Sequence, residues 1–125
     1  MICVIENKNF SLRDVKQTSY ISSWDPKEVA DFHETIGNKE TPLVKLPGLA
    51  KRLGIGSLLL KDESHRFGLN AFKALGASYA MYRQIEKNPQ IKTFCTATDG
   101  NHGRAVAWMA RKLGRKALIY MPQGT

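Results

Sequence analysis

The sequence predicts an α/β fold built around a parallel β-α-β unit, and three observations in its last third carry that expectation. Ile91 to Ala97 is a β-rich run, and Ala117-Leu118-Ile119-Tyr120-Met121 is a second run that reads as a buried strand. Between them, Arg104 to Leu113 has helical spacing, with Ala105, Trp108, Met109 and Leu113 apolar and Gly114 placed to stop the helix. A strand, a helix and a strand joined by short connections imply a parallel pair with a right-handed crossover.

The earlier elements follow from local signals. In Ser23-Trp24-Asp25-Pro26-Lys27-Glu28, Asp25 can cap a helix, Pro26 suits its first position and Glu28 can reach back. That helix is expected to run to about Ile36 and stop at Gly37. Thr41 to Pro47 is held extended by its prolines. Pro47 to Leu53 forms a short helix closed by Gly54, and Leu58-Leu59-Leu60 reads as a buried strand leading into Lys61-Asp62-Glu63. Phe72, Leu75, Tyr79, Tyr82 and Ile85 recur at steps of three and four. They predict a helix over 70–87 with Asn70 as its N-cap and Asn88-Pro89 as its end.

Composition narrows the functional classes. The chain has 125 residues, 42% hydrophobic and 24% charged, as a folded domain would. It has no apolar run near the roughly 20 residues that cross a bilayer, and the opening MICVIENKNF lacks a secretory layout. No membrane partner and a cytoplasmic location are therefore expected. The two cysteines, Cys3 and Cys95, fit a reducing compartment, with Cys95 read as a small core residue. The net charge of +8 could attract anions, but the 19 Lys and Arg are scattered, and no nucleic-acid-binding pattern accompanies them. His33 and His65 have no assignable partners, and the histidines and thiols are not spaced for a metal.

Two stretches could carry chemistry. Thr98-Asp99-Gly100-Asn101-His102-Gly103 joins a strand's carboxyl end to a helix start, where open α/β folds bind ligands and where backbone N–H groups favour anions. Gly100 and Gly103 would let backbone approach a ligand, and the spacing is not that of a dinucleotide fingerprint. The bland alternative is a tight turn capped by Asp99 or Asn101. The second stretch is RFGLNAFKALG, Arg66 to Gly76, in which Lys73 sits in a first helical turn beside Phe72 and among Ala71, Ala74, Gly76 and Ala77. Burial and the positive end of a helix both favour a neutral, nucleophilic amine, which suits Schiff-base formation with an aldehyde cofactor. Its bland alternative is a lysine facing solvent.

Taken together, LLLKDESHRFGLNAFKALGASYA, TATDGNHGRAVAWMARKLG and ALIYMP resemble the N-terminal part of the diaminopropionate ammonia-lyases. These belong to the fold-type II pyridoxal phosphate enzymes, with threonine dehydratase, threonine synthase and the tryptophan synthase β subunit. The resemblance is strongest from Leu58 to Met121. A lysine on a helix followed by a strand and an Asn-His-Gly loop is common to the wider superfamily. F-G-L-N-A-F-K-A-L-G and the aspartate of T-D-G-N-H-G point more narrowly to the ammonia-lyases.

The resemblance implies a partial three-layer αβα fold. Residues 1–90 would belong to the large pyridoxal phosphate domain, and 91–125 would begin a smaller β-α-β domain. It implies that Lys73 holds pyridoxal 5′-phosphate, that Phe72 lies beside the ring and that Asn101 bonds the ring hydroxyl. Thr98, Asp99, Gly100 and His102 would surround the substrate carboxylate. Asp99 would be the base for the D-isomer of 2,3-diaminopropionate and Lys73 the base for the L-isomer. It also implies a glycine-rich phosphate loop, and no G-G-x-G-G run occurs in this sequence, so the chain is expected to be the front of a longer protein. A small amino-acid substrate and a homodimer are the expected partners, and a role in amino-acid catabolism the expected setting. A serine/threonine dehydratase relative and a non-catalytic association module are the alternatives.

Overall fold

The computed structural model of the chain describes residues 25–124; Cys3 and the start of the expected helix signal at Ser23 and Trp24 lie outside them. The described chain runs α1 (Pro26–Thr35), β1 (Leu43–Lys45), α2 (Pro47–Leu53), β2 (Leu59–Lys61), a 3-10 segment (Glu63–Gly68), α3 (Lys73–Lys87), β3 (Thr93–Ala97), α4 (Asn101–Lys112) and β4 (Lys116–Tyr120). The Asp25 carboxylate accepts from Lys27 N–H, and Pro26 opens α1, as the sequence signals require. At the end of α4, Gly114 takes φ +64°, letting its N–H reach Arg111 O at 3.1 Å and the Arg115 N–H reach Ala110 O at 2.8 Å. This pair of bonds satisfies carbonyls the helix leaves open, and the same pair closes α1 at Gly37.

β3 and β4 pair in parallel, Thr93 with Lys116 through Ala97 with Tyr120, and α4 is their crossover. The core lies where α3 meets α4 and α1. Ala74, Ala77 and Met81 of α3 form one buried cluster with Ala105, Val106, Met109 and Ala110 of α4 and Phe32 of α1. The buried face of α3 is thus its small-residue face, not the aromatic stripe that periodicity picks out. Small side chains let two helix backbones approach closely. The aromatic stripe packs sideways on α1 instead. Phe32 stacks on Tyr82 at 4.6 Å between centroids and meets Tyr79 edge-on at 5.5 Å, a geometry that adds to plain burial. His33 is buried, with Nε2 2.9 Å from Leu75 O. A carbonyl only accepts, so Nε2 carries the proton and ties α1 to α3.

Four expectations are corrected. Asn70 does not cap α3: it has φ +57°, and the residue before the helix, Phe72, makes no side-chain cap bond. Leu59 and Leu60 are exposed rather than buried, because β1 and β2 form an antiparallel two-stranded ribbon open on both faces. In β3 and β4 only one face meets α4. Phe94, Thr96 and Ile119 are half-buried, while Leu118 and Tyr120 on the other face are exposed. Cys95 pairs in register with Leu118 on that open face and is an exposed free thiol, not a core residue.

Candidate functional site

Chain direction brings two helix starts to the same end of the domain. α3 leads through residues 88–92 into the amino end of β3, and α4 begins just past the carboxyl end of β3. The two helices pack along one another, with Ala74, next to Lys73, in the same buried cluster as Ala105 and Val106 near the start of α4. The starts of α3 and α4 therefore lie toward the carboxyl edge of the parallel pair, where ligand clefts form in such sheets.

At that edge Thr98 continues the ladder, its N–H donating to Tyr120 O at 2.9 Å. Its hydroxyl accepts from the Gly100 N–H at 3.3 Å. Thr98, not Asp99 or Asn101, thus shapes the turn. Asp99, Gly100 and Asn101 are exposed and His102 is half-buried. A shallow cleft of about 480 Å³ opens here, lined by Ala97, Thr98, Asp99, Tyr120, Met121 and Pro122. Asn101 and His102 already belong to the first turn of α4, which no side chain caps. Its leading N–H groups point out of the helix with partial positive charge.

Gly103 has a role the sequence did not disclose. A Cβ built there would lie 2.7 Å from Thr98 Cγ2 and 2.9 Å from Ile119 Cγ2. It is the contact that lets α4 press on the strand ends and holds Thr98 in place, rather than a gap kept open for a ligand.

Lys73 is the first residue of α3, Phe72 precedes it with 60% of its surface exposed, and α3 also lacks a side-chain cap. The expectation of a dry amine is not met. Lys73 is exposed, on a different side of this helix end from the buried Ala74, and it has no hydrogen bond or ion pair among the described residues. The cleft beside Asp99 does not include it.

The loop leading to Lys73 is held firmly. Arg66 is buried and donates from Nε and Nη2 to both oxygens of Glu63 at 2.8 Å, from Nη1 to Asn38 Oδ1 and to Lys39 O at 2.7 Å, and from Nη2 to Thr41 Oγ1 at 3.1 Å. The Arg66 bonds, with a further one from the Thr41 hydroxyl, hold the Glu63 carboxyl at about 2, well below the usual carboxylate range. Sequence reading missed this knot. Its only trace is the Glu63/Arg66 spacing of three. His65 sits outside it, exposed, with Nε2 3.5 Å from Asp62.

An accessible amine at a helix start, an open aromatic face beside it, and a neighbouring turn of hydroxyl, carboxylate, amide, imidazole and free N–H groups fit a flat anionic aldehyde and an amino-acid substrate. Residues 34–125 match the family model described as pyridoxal-phosphate dependent enzyme, and the chain belongs to that family. Within it the chain is similar to the diaminopropionate ammonia-lyase of Salmonella typhimurium, with 48% identity over 78% of this chain and 30% of that protein. With its Escherichia coli K12 counterpart it shares 43% identity over 99% of this chain and 35% of that protein. The crystal structure of the Escherichia coli enzyme in complex with D-serine superposes with a TM-score of 0.75 and 44% identity, covering 79% of this chain and 30% of that one. The chain thus spans about a third of the length of these relatives.

Proposed function

We propose that this chain supplies the cofactor lysine and the substrate loop of a pyridoxal phosphate-dependent ammonia-lyase. The reaction takes 2,3-diaminopropionate of either hand and one water to pyruvate and two ammonia. One observation carries the reading: two uncapped helix starts at one sheet edge, one headed by Lys73 and the other by the Asp99-to-His102 turn. Identity of 43% to 48% to enzymes of that name supports it.

When bound, pyridoxal phosphate supplies the sink for the electron pair released at the substrate α-carbon. Lys73 is the residue that would hold the cofactor, through Nζ. Phe72 would flank the ring, and the Asn101 amide would bond the ring hydroxyl. Thr98, Gly100 and His102, with the free N–H groups of α4, hold the substrate carboxylate. Asp99 takes the α-proton from the D-isomer and Lys73, once released, from the L-isomer. A base on each face lets one site accept both hands. The β-amino group then leaves as ammonia, and water converts the three-carbon remainder to pyruvate and the second ammonia. Both bases are exposed among the described residues.

The test is pyruvate release by the chain extended to its relatives' full length. Both enantiomers of 2,3-diaminopropionate are expected to react, both activities to vanish in Lys73→Ala, and the D-activity alone to fall in Asp99→Asn. Deamination of threonine or serine only would overturn the reading. The same proposal includes the division near residue 90, a homodimer, and a cytoplasmic catabolic setting. No described helix is long and apolar enough to cross a membrane, and the exposed Leu43, Leu59 and Leu60 offer surface for association.

A further inference from the structure

Phe67 stands in a conformation that a bulky side chain rarely takes. It has φ +52° and ψ +13°, and Gly68 follows with φ +71°. The Leu69 N–H closes the turn onto Arg66 O at 2.9 Å. A turn with positive φ at both central residues ordinarily carries glycine or asparagine. Strain of this kind persists only where surrounding structure holds it. On one side the holder is Arg66, fixed by five hydrogen bonds. On the other it is Trp108 of α4, whose ring lies 4.8 Å from that of Phe67 at 36°. Lys112 Nζ lies over the indole, 5.1 Å from the ring centroid.

Two positions give this contact its meaning. Phe67 lies six residues before Lys73. Trp108 lies two helical turns after Asn101, on the same side of α4. The ring pair therefore joins the loop that ends in the lysine to the helix that begins with the substrate turn. Leu69 packs beside it on the core cluster.

We infer that Phe67 is a positioning residue: packed against Trp108, it sets the separation between Lys73 and the Asp99-to-His102 turn. The inference rests on the proposed function for its purpose, but its geometry is measured without cofactor. In a Cys3→Ser, Cys95→Ser background, spin labels at Lys73→Cys and Asp99→Cys report the separation by pulsed electron resonance, with the thermal midpoint read alongside. The parent chain is expected to give one narrow distance distribution. Phe67→Tyr keeps the ring and the narrow distribution. Phe67→Gly relieves the backbone but removes the ring, and is expected roughly to double the width, since the turn then has no ring to hold it against Trp108. Phe67→Leu is expected to do the same at a midpoint near that of the parent.

A distribution that stays narrow in Phe67→Leu and Phe67→Gly overturns the inference. Should both unfold, Trp108→Met is read by the same two outcomes, and its unfolding as well would make the pair an ordinary core contact and overturn the inference too. Failure of pyruvate release with the distance behaviour intact would remove the purpose and leave the clamp, so the two failures are distinct.

Discussion

Arg66 and Lys73 are two cations seven residues apart in one loop-to-helix segment, and the fold treats them in opposite ways. Arg66 is buried, with its guanidinium donating five hydrogen bonds to Glu63, Asn38, Lys39 and Thr41. Lys73 is exposed at the start of α3 with no partner among the described residues. A buried charge survives only when its donors are satisfied. A cation kept for chemistry must instead have its nitrogen available. The contrast separates the residue that builds the loop from the one the loop presents.

Exchanging those roles by mutation should produce opposite phenotypes. The largest effect is expected from Lys73→Ala in the full-length enzyme. Pyruvate release should fall more than about 10³-fold, while urea unfolding changes little, because an exposed side chain with no partner leaves nothing unsatisfied. A large loss of stability there would break the comparison. Arg66→Ala should do the reverse, costing about 3 kcal/mol in urea unfolding, since it takes the charged partner from the Glu63 carboxylate and the donor from Asn38 Oδ1 and Lys39 O. Gly103→Ala sharpens the comparison at the second helix start. Its new methyl must displace Thr98 and Ile119, at a cost of about 1–3 kcal/mol.

The smallest expected effect is on pH dependence. The Glu63 carboxyl ionises at about 2 in the folded chain against an ordinary value of 4.5. A lowered value means the folded state favours the charged form, so the contribution is complete above about 4.5 and is lost as pH falls toward 2. Glu63 is partly exposed, which keeps the effect modest. Acid titration of thermal stability should show this loss in the parent chain, and a weaker slope in Glu63→Gln.

Much of this was legible in sequence because the signals were local. Asp25-Pro26 and Gly37 bound α1, Gly114 closes α4, and the two β-rich runs flank it as a parallel pair. The turn of candidate residues fell where a strand meets a helix. What failed depended on layers rather than on neighbours. Leu60, Leu118 and Cys95 read as buried because they are apolar and sit in strands, but burial needs something on the outer face. Periodicity found the large side chains of α3 and so chose the aromatic stripe. The face that packs on α4 is built from Ala74, Ala77 and Met81, and the size of the two alanines, not their hydropathy, suits close approach. Asn70 looked like a cap because it precedes a helix, yet the turns at Phe67 and Asn70 carry the chain into α3 by left-handed backbone instead.

The central claim is that Lys73 is the residue that carries the cofactor. Its most direct test is borohydride reduction of the full-length enzyme loaded with pyridoxal phosphate, followed by mass mapping of the peptides. A pyridoxyl group on Lys73, absent after Lys73→Ala, is the expected result; its appearance on another lysine with Lys73 left unmodified would contradict the account.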